Sequence, residues 1–271
     1  MPARIPDMTV CIAAICESGA AIVLAADRFR WHPTASIETE LDDPKFDFLT
    51  DQLALMSSGS TSVTDAVLRH FKRMPADSGL TVIEASERFV EACQAVRTKL
   101  VEDAYAKKLL GLKVADIRPL VAVANPGSIA LDLYNRMVGH DFGTMFIVAG
   151  IDLEGAHVRT VDENASVMHS DFGYAAIGSG GTLATVSLVR RLHKKSATLP
   201  EALYNVYEAK KAAETARGVG STTDISVIRK DKTRIDLDGR ALDALEAAYK
   251  RLAPPSLSQS DIDAISNSLP S

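Results

Sequence analysis

Thr9 opens an apolar run, Thr-Val-Cys-Ile-Ala-Ala-Ile, that breaks at Glu17-Ser18-Gly19 and returns as Ala-Ala-Ile-Val-Leu-Ala-Ala to Asp27, with Lys45 and Ser58-Gly59 downstream. That order suggests acyl transfer to a threonine standing at the N-terminus of its own chain. A threonine hydroxyl is a weak nucleophile until a base takes its proton, and the simplest nearby base is the free α-amine of the same residue. The ordinary pKa of such an amine is about 8, so a modest fall leaves it neutral near physiological pH. Residues Met1 to Met8 precede Thr9, and an amide-linked nitrogen is no base. The reading therefore needs residues 1–8 removed, as a self-cleaved propeptide or because translation starts at Met8 and that methionine is trimmed. Cys11 lies two residues on, on the same strand face, but an internal cysteine cannot use a terminal amine and is expected in the core.

Other chemistries find less support. The histidines His32, His70, His140, His157, His169 and His193 form no metal-ligand spacing, and no metal or organic cofactor is expected. Gly178-Ser179-Gly180-Gly181 lacks the Lys-Ser/Thr of a phosphate loop and the third glycine of a dinucleotide fingerprint, so a tight strand-to-helix turn explains it better. A formal charge of -5 leaves no basic footprint for nucleic acid. The three cysteines, Cys11, Cys16 and Cys93, make an odd count without paired spacing, which favours a reducing cytoplasm over a disulfide framework. The apolar stretch 9–26 is broken at Glu17-Ser18-Gly19, so each half suits a strand of a hairpin better than a secretory signal. No membrane association is expected.

The elements that must position these residues follow from periodicity. Strands are expected on both sides of the first turn and over 45–49 and 52–57, with the polar stretch 30–44 read as turns. Val63, Val67, Leu68 and Phe71 recur at helical spacing until Pro75, and Val82 to Leu100 continues as a long second helix fraying near Gly111. Within 113–141, Val121-Ala122-Val123 reads as strand-like and 129–138 as a short helix. Strands over 144–151, 157–161 and 173–177 lead to helices over 182–192 and 199–216, closing strands over 224–229 and 234–237, and a helix over 241–252. From Pro254 onward the composition is that of a disordered tail. Blocks of strands alternating with pairs of helices argue against a doubly wound sheet and for two packed sheets covered by helices.

The pieces Thr9 with its strand, Ala25-Ala26-Asp27-Arg28, Lys45-Phe46-Asp47-Phe48, Met56-Ser57-Ser58-Gly59, Ile177-Gly178-Ser179-Gly180-Gly181 and Gly220-Ser221-Thr222-Thr223-Asp224 stand in an order, and at a Lys-to-Gly interval, that resembles the proteasome β-subunit family of N-terminal nucleophile hydrolases, including its short bacterial members. Taken singly, each residue has a structural explanation: a threonine is a good strand former, and a lone Lys45 would be a surface lysine. Their combination points to chemistry.

The resemblance implies an α+β fold, a four-layer αββα sandwich of two antiparallel sheets flanked by helix pairs. It implies a hydrolase domain over 9–239, with 113–141 as an insertion, followed by a C-terminal helix and tail over 240–271; because loops that lengthen a compact domain often carry such roles, 113–141 is the candidate for a subunit contact or a gate. It implies Thr9 as nucleophile, Lys45 lowering the hydroxyl pKa, Asp27 holding Lys45, and the Gly59 amide facing the oxyanion. Ser179 and Ser221 would support the free amine, and Ser57 and Thr61 would line the substrate pocket. The family usually carries an Asp shortly before the second serine, whereas this chain reads Ala216-Arg217-Gly218-Val219-Gly220, leaving one supporting hydrogen bond unaccounted for. Self-cleaving members usually carry Gly before the threonine, so Met8 favours the internal start. The implied substrate is unfolded polypeptide, the implied assembly a ring or spiral of copies of this chain, with an unfoldase partner left open. The alternatives are an inactive scaffold subunit and a small-molecule amidase on the same fold.

Overall fold

Successive residues of a strand face opposite sides, yet every residue of β1 (Cys11–Cys16) and β2 (Ala21–Asp27) is buried, so the sheet they form must be covered on both faces. The computed structural model describes residues 9–32, 37–40, 44–75, 79–107, 111–125, 127–169, 171–252 and 260. Residues 1–8, expected to be removed, and nearly all of the tail after 252 lie outside the described residues.

β1 and β2 pair antiparallel across a 3-10 turn at Glu17–Gly19. With β10 (Tyr174–Ile177), β11 (Thr223–Arg229) and β12 (Arg234–Asp236) they form a five-stranded sheet in the order β10-β1-β2-β11-β12. A second antiparallel sheet runs β5-β6-β7-β8-β9, from β5 (Phe46–Thr50), β6 (Leu53–Gly59), β7 (Thr144–Asp152), β8 (Gly155–Val161) and β9 (Ser166–Met168). The sheets face each other through a dry core in which Cys11, Ile15 and Leu24 meet Met56, Ile147 and Val158.

The outer face of the second sheet, including Leu55, Phe146 and Val148, is covered by Val67 and Leu68 of α1 (Thr61–Arg73) and by Phe89, Ala92 and Val96 of α2 (Val82–Val101). Phe89 stacks on Phe71 with ring centroids 4.1 Å apart. The outer face of the first sheet carries α5 (Gly181–Arg190) and α6 (Leu199–Ala213). The fold is thus α+β, with two antiparallel sheets between two helix pairs. Both long helices begin at a reciprocal cap: Thr81 with Glu84, and Thr198 with Glu201, each satisfying two amides that the first turn leaves unpaired.

The structure corrects two local readings. Part of the polar stretch 30–44 is a two-stranded ribbon, β3 (Phe29–His32) against β4 (Ile37–Glu40), whose short strands sit in a polar, turn-rich stretch. Val121-Ala122-Val123 is not a strand, because Val114, Ile117 and Val121 lie on one face of a helix, α3 (Val114–Ala122), in spite of Pro119. The second long helix continues into a wider π turn over Glu102–Lys107, just short of the end expected near Gly111; residues 108–110 lie outside the described residues. α3 and α4 (Ile129–Val138) enclose a small core of their own, where Ile117, Leu133 and Met137 meet Val101 and Ala106.

The described residues up to Leu237 form one compact unit and those from Asp238 onward a second. In the second, α7 (Gly239–Leu252) starts at Asp238, whose carboxylate accepts from the Ala241 amide at 2.9 Å. No helix among the described residues is long and apolar enough to cross a membrane.

Candidate active site

Antiparallel pairing sets the end of each strand beside the start of the next, and this gathers the candidate residues at one end of the sandwich. Cys11, at the start of β1, pairs with Ala26 near the end of β2 and with Ile177 at the end of β10. Asp27 closes β2 opposite Thr223, which opens β11. In the facing sheet Lys45 immediately precedes β5, whose first residue Phe46 pairs with Met56 close to the end of β6. Thr9 and Asp27 therefore come from one sheet and Lys45 from the other.

Thr9 is 2% exposed, Asp27 0% and Lys45 8%, so these polar groups have almost no water and must satisfy one another. Thr9 Oγ1 donates to Asp27 Oδ1 at 2.5 Å. Lys45 Nζ donates to Thr9 Oγ1 and, at 2.7 Å, to Asp27 Oδ1. The Val10 amide adds a third donor to that oxygen at 3.1 Å, while the Gly220 amide donates to Asp27 Oδ2 at 2.9 Å. Four donors fill the acceptor capacity of one carboxylate. This is what lets an aspartate stand between the sheets as an anion and lets an ammonium lie against an alcohol oxygen. Such an ammonium favours loss of the hydroxyl proton, because the alkoxide would form beside a positive charge.

Ser179, in the turn between β10 and α5, is half-buried and faces the backbone of Thr9. The Thr9 nitrogen donates to Ser179 Oγ at 3.3 Å, and Ser179 Oγ donates to the Thr9 carbonyl at 3.3 Å. Gly180 N also donates to that carbonyl, at 3.3 Å. The turn thus holds both polar groups of the Thr9 backbone.

The other four candidates make no hydrogen bond to Thr9 among the described residues. Gly59 ends β6, exposed, with φ of 106° and a backbone so close to Gly143 that an added Cβ would lie 2.0 Å from the Gly143 oxygen. Only glycine meets both conditions. Ser57 is half-buried in the same strand, and its carbonyl accepts from Cys11 Sγ at 3.4 Å. Thr61 begins α1 and is exposed. Ser221 is exposed too, and its carbonyl accepts from Lys210 Nζ. A cavity of about 390 Å³, lined by Ser58, Met145, Ile177, Gly178, Thr182 and Val186 among others, opens beside the turn. Gly178 lies against Thr9, where an added Cβ would be 2.9 Å from Thr9 Cγ2.

Two participants escaped the sequence reading. Gly220, whose amide holds the second oxygen of Asp27, has no side chain to advertise it. Lys210 is fully buried behind Gly220 and Ser221. Its signal was positional, since it falls on the same helical stripe as Val206 and Ala213, where an apolar residue is the rule.

The groups His, Cys, Asp and Glu come together in no metal-holding cluster of three among the described residues. No family model matches the chain. Over 105 residues it is 38% identical to "Proteasome subunit beta 2" of Thermofilum pendens, a stretch covering 37% of this chain and 48% of that protein. The chain thus spans about half the length of the curated relative it matches. This similarity supports the resemblance to proteasome β subunits drawn from the sequence motifs, though not the narrower likeness to short bacterial members.

Proposed function

We propose that this chain is a proteasome-like N-terminal nucleophile hydrolase that cleaves polypeptide amides with Thr9. The observation that carries the reading is the convergence of Lys45 Nζ and Asp27 Oδ1 on Thr9 Oγ1, all three side chains being buried. Once residues 1–8 are gone, the Thr9 amine, held by Ser179, takes the hydroxyl proton while the oxygen attacks the scissile carbonyl. The Gly59 amide faces the oxyanion, a contribution of about 3 kcal/mol for a donor of this type. The amine returns its proton to the leaving nitrogen, the C–N bond breaks, and an ester to Thr9 remains. Water, deprotonated by the same amine, then releases the acid and restores the hydroxyl. Ser57 and Thr61 flank the acyl side chain, and Ser221 supports the amine from the β11 side.

The likeness to a proteasome subunit supports assembly of copies into a ring or spiral around the sites and a polypeptide substrate, and the lengthening of a compact domain by 113–141 supports a contact or gate there. The order of the sequence motifs supports a likeness to the short bacterial members. A reducing compartment such as the cytoplasm suits three buried thiols.

The test is protein made with Thr9 as its mature first residue, verified by intact mass, compared with Thr9→Ala and Thr9→Ser. Hydrolysis of peptidyl amides is expected to vanish in Thr9→Ala and to persist, more slowly, in Thr9→Ser, with assembly mass unchanged in both. Activity equal in Thr9→Ala and wild type would overturn the reading. Turnover of simple acyl amides but never of peptides would make the chain an amidase, and assembly without any hydrolysis would make it a scaffold.

A further inference from the structure

Lys210 lies on α6 with its side chain wholly out of water. Its ammonium has three hydrogens and places them on three oxygens: Glu214 Oε1 at 2.6 Å, Gly220 O at 2.8 Å and Ser221 O at 2.9 Å. A buried ammonium is tolerable only when every donor is met and a counter-charge is near. Burial draws its pKa below the usual lysine value, and Glu214, through hydrogen bond and charge, opposes that fall, with the charge of Asp27 adding to the opposition.

The two backbone polar groups of Gly220 point to two different charges. Its carbonyl accepts from Lys210, and its amide donates to Asp27 Oδ2 at 2.9 Å. There is no room for a side chain here, as an added Cβ would lie 2.2 Å from Glu40 Oε1 and 3.0 Å from Phe29 Cβ. Glu40 in turn accepts from the amide of Thr222 at 3.0 Å and from its hydroxyl. The segment from Gly220 to Thr222 is pinned by an ammonium on one side and a carboxylate on the other.

We propose that Lys210 is a positioning residue for the Thr9 site: by clamping the Gly220 and Ser221 carbonyls it aims the Gly220 amide at Asp27 Oδ2, which fixes the carboxylate rotation that leaves Oδ1 shared by Thr9 and Lys45. The clamp supplies from α6 a support that no acidic residue in 216–220 provides. Without it the Asp27 carboxylate is free to turn, and the ammonium of Lys45 and the hydroxyl of Thr9 lose their common acceptor. The inference rests on the reading of Thr9 as nucleophile.

The test uses the protein with Thr9 as mature N-terminus and compares wild type, Lys210→Met and Lys210→Gln on a peptidyl-aminocoumarin amide. kcat is counted per Thr9 titrated by an acylating β-lactone, so misfolded molecules drop out. Misplacement of reacting groups by a fraction of an ångström should lower kcat of Lys210→Met at least about tenfold with KM within about twofold. Lys210→Gln, which offers two N–H donors without a charge, should fall between, and it carries the test alone if Lys210→Met does not fold. Unchanged kcat per titrated site, or a loss confined to KM, overturns the inference alone. A wild type that neither hydrolyses the amide nor is acylated at Thr9 overturns the reading of the site and this inference with it.

Discussion

Lys45 Nζ and Asp27 Oδ1 stand 2.7 Å apart, both out of water and each from a different sheet, and Thr9 Oγ1 bonds to both. The contact ties the two sheets together electrostatically at the end where the chemistry would take place. The ion pair that the proposed chemistry uses is therefore also one that joins the two sheets.

Asp27→Asn keeps the shape of the side chain and removes its charge, leaving the Lys45 ammonium buried without a counter-charge. Breaking a buried pair in this way costs about 3–5 kcal/mol. A lowered urea midpoint at pH 7, together with loss of hydrolysis, is expected. A midpoint equal to wild type would show that the ammonium finds water or another partner.

At Lys45 the charge must also sit at a point. Lys45→Met should abolish measurable hydrolysis, and Lys45→Arg should not restore it, because the longer, planar guanidinium cannot occupy the point from which the compact ammonium gives one hydrogen to Thr9 Oγ1 and another to Asp27 Oδ1. Steady-state rates of the three proteins at equal titrated sites decide it; full activity in Lys45→Arg would refute the geometric argument.

Cys11, Cys16 and Cys93 are all buried. Burial is the main reason the Cys16 and Cys93 thiols are pushed up to about 12, with neighbouring acids adding to it. A thiol reagent at pH 8 should label none of the three in native protein and all three in urea, and iodoacetamide should not inhibit hydrolysis. Rapid native labelling with loss of activity would instead direct attention to a cysteine nucleophile.

His193 is buried with Nε2 donating to the Ile15 carbonyl at 3.1 Å, and burial lowers its pKa in spite of that bond. His140 and His169 are lowered by burial as well. The folded state then binds fewer protons than the unfolded chain, so stability is full above the unfolded value of about 6.5 and is lost as pH falls from there towards the folded values. Glu163, raised chiefly by burial, works in the opposite sense at lower pH. Denaturant midpoints between pH 7.5 and 5.5 should decline, and His193→Gln should flatten part of that decline. An unchanged slope would mean that His193 titrates normally.

Much of the architecture was readable because periodic burial writes itself into sequence. Continuous apolar runs on either side of Glu17-Ser18-Gly19, helical spacing through 82–100, and the separation of strand blocks from helix blocks point to layers and class. Short elements were read unevenly: Tyr174–Ile177 and Arg234–Asp236 were expected as strands, whereas Phe29–His32 and Ser166–Met168, of the same length, were not. Val114–Ala122 was obscured because Pro119 reads as a breaker until the helix that tolerates it is seen.

For the site, the residue types and their order made Thr9 the candidate nucleophile, and their resemblance to the proteasome β-subunit motifs named Asp27 and Lys45 as its carboxylate and ammonium. Only tertiary structure decided that four donors meet on Asp27, that Gly220 and Lys210 stand behind it, and that Ser57, Gly59, Thr61 and Ser221 make no hydrogen bond to Thr9 among the described residues. The reason is physical: a backbone amide carries no side-chain signature, and burial of Lys210 depends on how α6 sits against a segment that follows it. Hydrogen bonds between strand ends exist only once both sheets have closed.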